Sequence, residues 1–351
     1  MSLPPVEIPL GAMRFNSDSQ KLEYFNGDVW MQVHTFNPGY DGGDSRGILF
    51  AGNNGGNFND INYINMSSYG DAIDFGNMQA ATTAGGACSS NTRAIYAGGQ
   101  WPSVYSAHIQ YITMASKGNA TDFGGDLNVG ADFLGGFSNA TRGLFAGGRS
   151  SGGNTATDRI DYVTMSTGQN AKDFGNLQGA QLWYPMCLAS PTRGIVGNSN
   201  NNREDDIDLI TIATTGNATD FGNLTLNKGG SGCSNSIRGL FAGGYLTPAG
   251  TLTNGISYIT IATQGNSSEF GDLTRSVRGF GACASSTRGV FSGGKEPGNS
   301  KTIDYVSFTT EGNAIDFGDL VGSNSGERGN IAATSNGHGG LGSSSHISSI
   351  Y

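Results

Sequence analysis

The eight residues Thr141 to Gly148, TRGLFAGG, recur with small changes along the chain, and nothing else in the 351 residues limits the possible folds as much. Arginines mark the copies: Arg46, Arg93, Arg142, Arg193, Arg238 and Arg288 stand 47, 49, 51, 45 and 50 residues apart. A second marker keeps the same step. Phe75, Phe123, Phe174, Phe221, Phe270 and Phe317 each precede a glycine and follow an acidic residue: Asp74, Asp122, Asp173, Asp220, Glu269 or Asp316. A repeat of this length is one supersecondary unit that cannot bury a core alone, so neighbouring units must stack. Length by itself would suggest two domains, but the repeat argues for one closed array.

Four short segments can be marked in each repeat. In the sixth they are Gly279 to Ser285, Arg288 to Gly294, Ile303 to Phe308 and Ala314 to Leu320, here called a, b, c and d. Segment c carries Ile303, Tyr305, Val306 and Phe308, apolar on both faces, as a strand does when its sheet lies between two others. Gly-Asn pairs such as Gly118-Asn119, Gly216-Asn217, Gly265-Asn266 and Gly312-Asn313 separate c from d and suit a tight hairpin turn. Paired glycines end segment b, where close backbone approach is expected. With 58 glycines, many Thr, Ser, Asn and Ile residues and no amphipathic helix, the chain is expected to be all-β, a β-propeller of four-stranded antiparallel blades.

After the sixth repeat, Gly329 to Ser335, His338 to Ser344 and His346 to Tyr351 match a, b and c of a degenerate seventh. Its missing d strand can come from Asp28 to Val33. Seven blades closed by both termini are therefore expected, with residues 1–33 an N-terminal hairpin segment and 34–351 the propeller. Six blades plus tails is the alternative.

The strand ending in Gly-Gly, the Tyr strand and the aromatic last strand resemble a divergent kelch-type repeat from Phe36 onwards, with the Phe of Asp-Phe-Gly in place of the kelch tryptophan. Enzymes on such propellers, galactose oxidase among them, hold copper with tyrosines and histidines, and that set is not reproduced here. Gly11 to Val33, with its Arg-Phe-Asn strand, Leu-Glu-Tyr strand, Asn26-Gly27 turn and Trp strand, is similar to a hairpin of structural and fibre proteins of tailed bacteriophages, notably phages of cyanobacteria. RGLFAGG, IDYVTM and NATDFGNL also look like repeats of such virion proteins. The resemblance implies a non-enzymatic virion protein on tail, fibre or head, assembled in the host cytoplasm, with other virion proteins and a host-surface glycan or protein as partners. Alternatives are a capsid decoration protein without a receptor role, and a carbohydrate-binding or carbohydrate-active propeller.

A net charge of -9 disfavours a nucleic-acid partner, which needs clustered cations. No apolar run reaches membrane-span length and no cleaved leader is evident, so no membrane insertion is expected. Cys88, Cys187, Cys233 and Cys283 occupy equivalent repeat positions without CxxC spacing and are read as buried apolar residues. His34, His108, His338 and His346 fall at unrelated positions, and Glu204, Asp205, Asp206 and Asp208 lack EF-hand spacing, so neither a metal nor a cofactor is expected. No catalytic set stands out. The arginine and acidic series is expected to form structural ion pairs between strands or neighbouring blades. Recognition is expected on the b-to-c loops, which vary in length and content, with Trp101, Tyr105, Tyr245 and Lys295 as binding candidates.

Overall fold

The computed structural model describes residues 8–9, 11–16, 21–32, 45–101, 104–150, 155–181, 184–197, 205–225, 227–246 and 251–342. The chain divides into two compact units, Met1–Tyr40 and Asp41–Tyr351. In the first, Met13–Asn16, Lys21–Phe25 and Trp30–Gln32 form an antiparallel three-stranded sheet in chain order. Asn26 Oδ1 accepts from the N–H groups of Asp28 and Val29 at 3.0 and 2.8 Å, and Gly27 takes φ +100°, which gives the Asn-Gly turn its sharp reversal.

The second unit is all-β and propeller-like. Among its described residues, six sheets have an antiparallel four-strand core in the order a, b, c, d. Sheets II to VI cover residues 86–126, 135–181, 186–223, 231–272 and 281–319. Sheet I combines Arg46–Phe50, Phe58–Asn65 and Ile73–Thr82 with an inner strand from the far end of the chain, Ala332–Ser335. Each b strand is buried on both faces after its arginine, because each sheet is covered by two others. Six apolar clusters fill the spaces between successive sheets. One joins Leu49, Ile64 and Met66 of sheet I to Val290, Ile303 and Phe317 of sheet VI.

These pairings differ from the expected seventh repeat. Without Ala332–Ser335, the inner edge of Arg46–Phe50 would leave a row of N–H and C=O groups unpaired, and the small residues of the C-terminal strand fill that edge, with Ala332 opposite Phe50 and Ser335 opposite Gly47. Gly339–Leu341 is a 3-10 turn and no b strand. Among the described residues Trp30–Gln32 pairs with Lys21–Phe25. Residues 346–351 lie outside the described residues. The junction of sheets VI and I also holds Arg328, fully buried, which donates from Nη2 to Asn62 and lies 3.5 Å from Asp60 through Nη1. Burial pushes its guanidinium down to about 10.

Candidate functional site

The repeat arginines join each sheet to the next. Arg142 lies over the Tyr162 ring of its own sheet, 5.1 Å from the centroid, and Nη1 donates to the carbonyls of Ile212 and Ala213 in sheet IV at 2.7 and 2.9 Å. Arg46 reaches Met114, Arg93 reaches Met165 and Ser166, Arg193 reaches Ile261 and Ala262, and Arg238 reaches Phe308. Arg288 of sheet VI reaches Met66 of sheet I. The expected acidic partners Asp74, Asp122, Asp173, Asp220, Glu269 and Asp316 are exposed on the outer strands, because the adjacent Phe takes the buried side. The series thus meets carbonyls where carboxylates were expected, and Arg238 in addition lies 3.9 Å from Glu311, which is outside the acidic series. A carbonyl satisfies the guanidinium without desolvating a second charge.

The Gly-Asn pairs form a second set of joints. Asn217 Oδ1 accepts from the Asn176 N–H at 3.0 Å, and the Gly216 N–H donates to the Phe174 carbonyl at 2.8 Å. The same bond links Asn119 to Asn77, Asn266 to Asn223 and Asn313 to Asp272, while Asp71 serves Asp319. A Cβ on Gly175, at φ +144°, would collide with the Gly216 carbonyl. Thus the turn proposed between c and d is also a clasp on the preceding sheet.

Two small spaces lie along the six inner strands. On the face of the a-to-b turns, a space of about 40 Å³ is lined by Cys88, Ser138, Cys187, Ser234, Cys283 and Ser335 and bounded by His338. The four cysteines are free and buried, and burial raises each thiol, Cys283 to about 12. His338 Nδ1 accepts from the Gly340 N–H at 3.1 Å, so the ring proton sits on Nε2 and points to the Ser89 carbonyl at 2.9 Å. Burial pushes the imidazole down to about 4. Gly339 and Gly340 lie against the carbonyls of Asn235, Ala189 and Ser138 with no room for a Cβ, so this turn plugs that end.

The other end carries the strained backbone. One left-handed residue precedes each inner strand: Ala84, Phe133, Tyr184, Gly229, Gly279 and Asn330, with φ from +43° to +67°. Phe133 N–H donates to Ala84, Ala84 N–H to Asn330 and Asn330 N–H to Gly279, at 2.6, 3.1 and 2.5 Å. Left-handed Phe and Tyr cost about 1–2 kcal/mol each, so the surroundings must hold them. Tyr184 donates to Asn330 Oδ1 and meets Phe133 edge-on, 4.6 Å between centroids. Below this ring a space of about 70 Å³, lined mainly by Gly, Ala and Ser of the inner strands, has room for waters and for no sugar.

The b-to-c connections stand around this mouth as short ribbons, and the predicted residues lie on them half-buried. Tyr105 lies under Arg149, whose guanidinium is also 4.5 Å from the Phe133 ring and binds Asp132 through Nε and Nη2 at 2.9 and 2.5 Å. Burial raises the Asp132 carboxyl and the Arg149 hydrogen bonds oppose it. Tyr245 lies under Arg278, at 5.8 Å. Lys295 pairs through its backbone with Arg278, and burial, then the Arg278 charge, lower its ammonium. Trp101 stands apart from this group and stacks on His108, 5.4 Å between centroids. Three of the four candidates thus share one mouth, joined by Phe133, Arg149, Tyr184, Arg278 and Asn330, which the sequence reading missed. The left-handed positions hold Ala, Phe, Tyr, Gly and Asn, so no common residue type marks them. Among the described residues, no three His, Cys, Asp or Glu side chains meet as a metal site. Glu204 and His34 lie outside the described residues.

No protein-family model matches the chain, and no curated protein matches it in sequence. The kelch-like and phage resemblances rest on the residues quoted for them.

Proposed function

We propose that the chain is a non-enzymatic structural protein of a tailed-phage virion, and that its Asp41–Tyr351 unit is a closed six-bladed propeller whose b-to-c face attaches to a host surface. The observation that carries this reading is the division of labour between the two faces. On one, the repeated Arg and Gly-Asn residues are tied into the neighbouring sheet and the axis is plugged by Gly339–Leu341. On the other, non-repeating ribbons carry aromatic and cationic side chains around a strained rim. Loops on a rigid scaffold are where recognition is commonly built. The phage setting rests on the resemblance of Gly11 to Val33.

Labelled full-length protein, mixed with a panel of cyanobacterial cells, tests the reading. Tyr245→Ser and Trp101→Ser should reduce cell binding roughly tenfold or more. Ile237→Ser, at an exposed position on the opposite face, should leave binding unchanged. Loss only in the Ile237 variant, or no cell binding by the unaltered protein, would defeat the proposal.

A further inference from the structure

Arg278 and Lys295 are direct cross-strand partners, held together by N–H···O=C bonds in both directions at 3.2 and 2.8 Å. Like charges set opposite each other in this way destabilise a strand pair. Among the described residues no carboxylate lies within ion-pair distance of either. Among the described residues the other half-buried or buried cations are met by backbone carbonyls, as in the repeat-arginine series, or by carboxylates. Arg149 has Asp132, Arg275 has Asp304 and Glu296, and Arg328 has Asp60. Glu296 follows Lys295 in sequence, yet it points to the other side of the strand and pairs with Arg275 at 3.3 Å. The two cations border the rim, with Arg278 over the Tyr245 ring and the chain leading from Arg278 through left-handed Gly279 to the inner strand.

We infer that Arg278 and Lys295 form an anion-binding clamp for a carboxylate carried on a sugar ring, such as a uronic acid. A guanidinium offers the paired N–H donors that match a carboxylate, and an ammonium adds a movable point charge. Tyr245 and Tyr184 supply flat apolar faces for the C–H side of the ring. The space beneath the rim, about 70 Å³, is too small for a sugar, so the ring would sit at the mouth with its acidic group toward the cations. The inference rests on the reading that this face is the working one, and it names the ligand chemistry of that face.

Calorimetric titration of the full chain with sodium glucuronate, glucose, acetate and inorganic sulfate checks it. Glucuronate should bind measurably at or below about 20 mM, more weakly as salt rises, while glucose should not bind and acetate should bind at least several-fold more weakly. Arg278→Gln and Lys295→Gln should each weaken glucuronate at least tenfold. Lys295→Gln removes a like-charge repulsion, so it should also melt at or above the temperature of the unaltered protein, which separates lost binding from lost folding. Equal binding of glucose, acetate as tight as glucuronate, sulfate binding without glucuronate, or unchanged affinity in both variants would each overturn the inference. Cell attachment without glucuronate binding overturns it and leaves the attachment reading standing. Glucuronate binding without cell attachment does the reverse.

Discussion

Arg142 meets backbone carbonyls where its repeat position suggests a carboxylate. Its guanidinium sits between an aromatic face and two carbonyls, so its loss removes charge-assisted hydrogen bonds without stranding a buried carboxylate. Arg142→Ala should therefore cost about 1.5–3 kcal/mol in urea unfolding. A double-mutant cycle with Tyr162→Leu should give a coupling of about 0.5–1 kcal/mol. Asp173→Asn should shift stability by less than about 0.5 kcal/mol, and strong Arg142–Asp173 coupling would restore the ion-pair reading. His338 makes a pH prediction. Its ring is held neutral in the fold, with the value lowered from 6.5 to about 4. Between these values the unfolded chain binds more protons, so this contribution is full above pH 6.5 and is lost as the pH falls to about 4. It amounts to roughly 3 kcal/mol at most. Melting temperatures across that range should fall more steeply for the unaltered protein than for His338→Gln, and parallel curves would show that the imidazole is not linked to folding.

At the scale of elements, the outer strands are latched by backbone contact more than by side-chain packing. The Gly216 and Asn217 turn can reach sheet III only because Gly175 lacks a Cβ at a left-handed φ. Gly175→Ala should then destabilise the protein by about 2–4 kcal/mol, combining backbone strain with overpacking. A second Gly→Ala change in a remote joint, at Gly271, should add to it nearly in full. A joint that tolerated alanine with an unchanged urea midpoint would mean that the turn can swing away without cost. The first unit is built on another principle. Arg14 pairs with Glu23 at 2.9 Å and lies 4.2 Å over Trp30 on one side of the sheet, while Met13, Phe15, Tyr24 and Met31 remain exposed on the other.

For the whole molecule the two ends of the chain have unequal weight. Ala332–Ser335 completes sheet I and lies against the inner strands of sheets II and VI. Deleting residues 329–351 should expose a sheet edge and two apolar faces, lowering the melting temperature by more than about 10 °C or abolishing folding. Deleting residues 1–40 removes a separate compact unit and should move the melting temperature of the remainder by less than about 3 °C. If the second deletion proved as damaging as the first, the N-terminal strand would be closing the array after all.

Much of this architecture is local information and was readable in the chain. Repeat length, the b strands buried on both faces, the Phe of each Asp-Phe-Gly and the buried cysteines follow from periodicity and burial preference, which each segment carries in itself. Partner choice was hidden, because the acceptor for Arg142 lies 70 residues away and is a backbone carbonyl, a group every residue has. The mouth was hidden for a related reason: a left-handed φ at Phe133 and Tyr184 is imposed by the descent of the chain from rim to axis, against the preference of those residues. The sequence alone therefore determined the repeating unit and its buried faces. Only the tertiary structure decided which end of the chain completes sheet I, which groups the arginines meet, and where Arg278 and Lys295 are left without a counter-charge among the described residues.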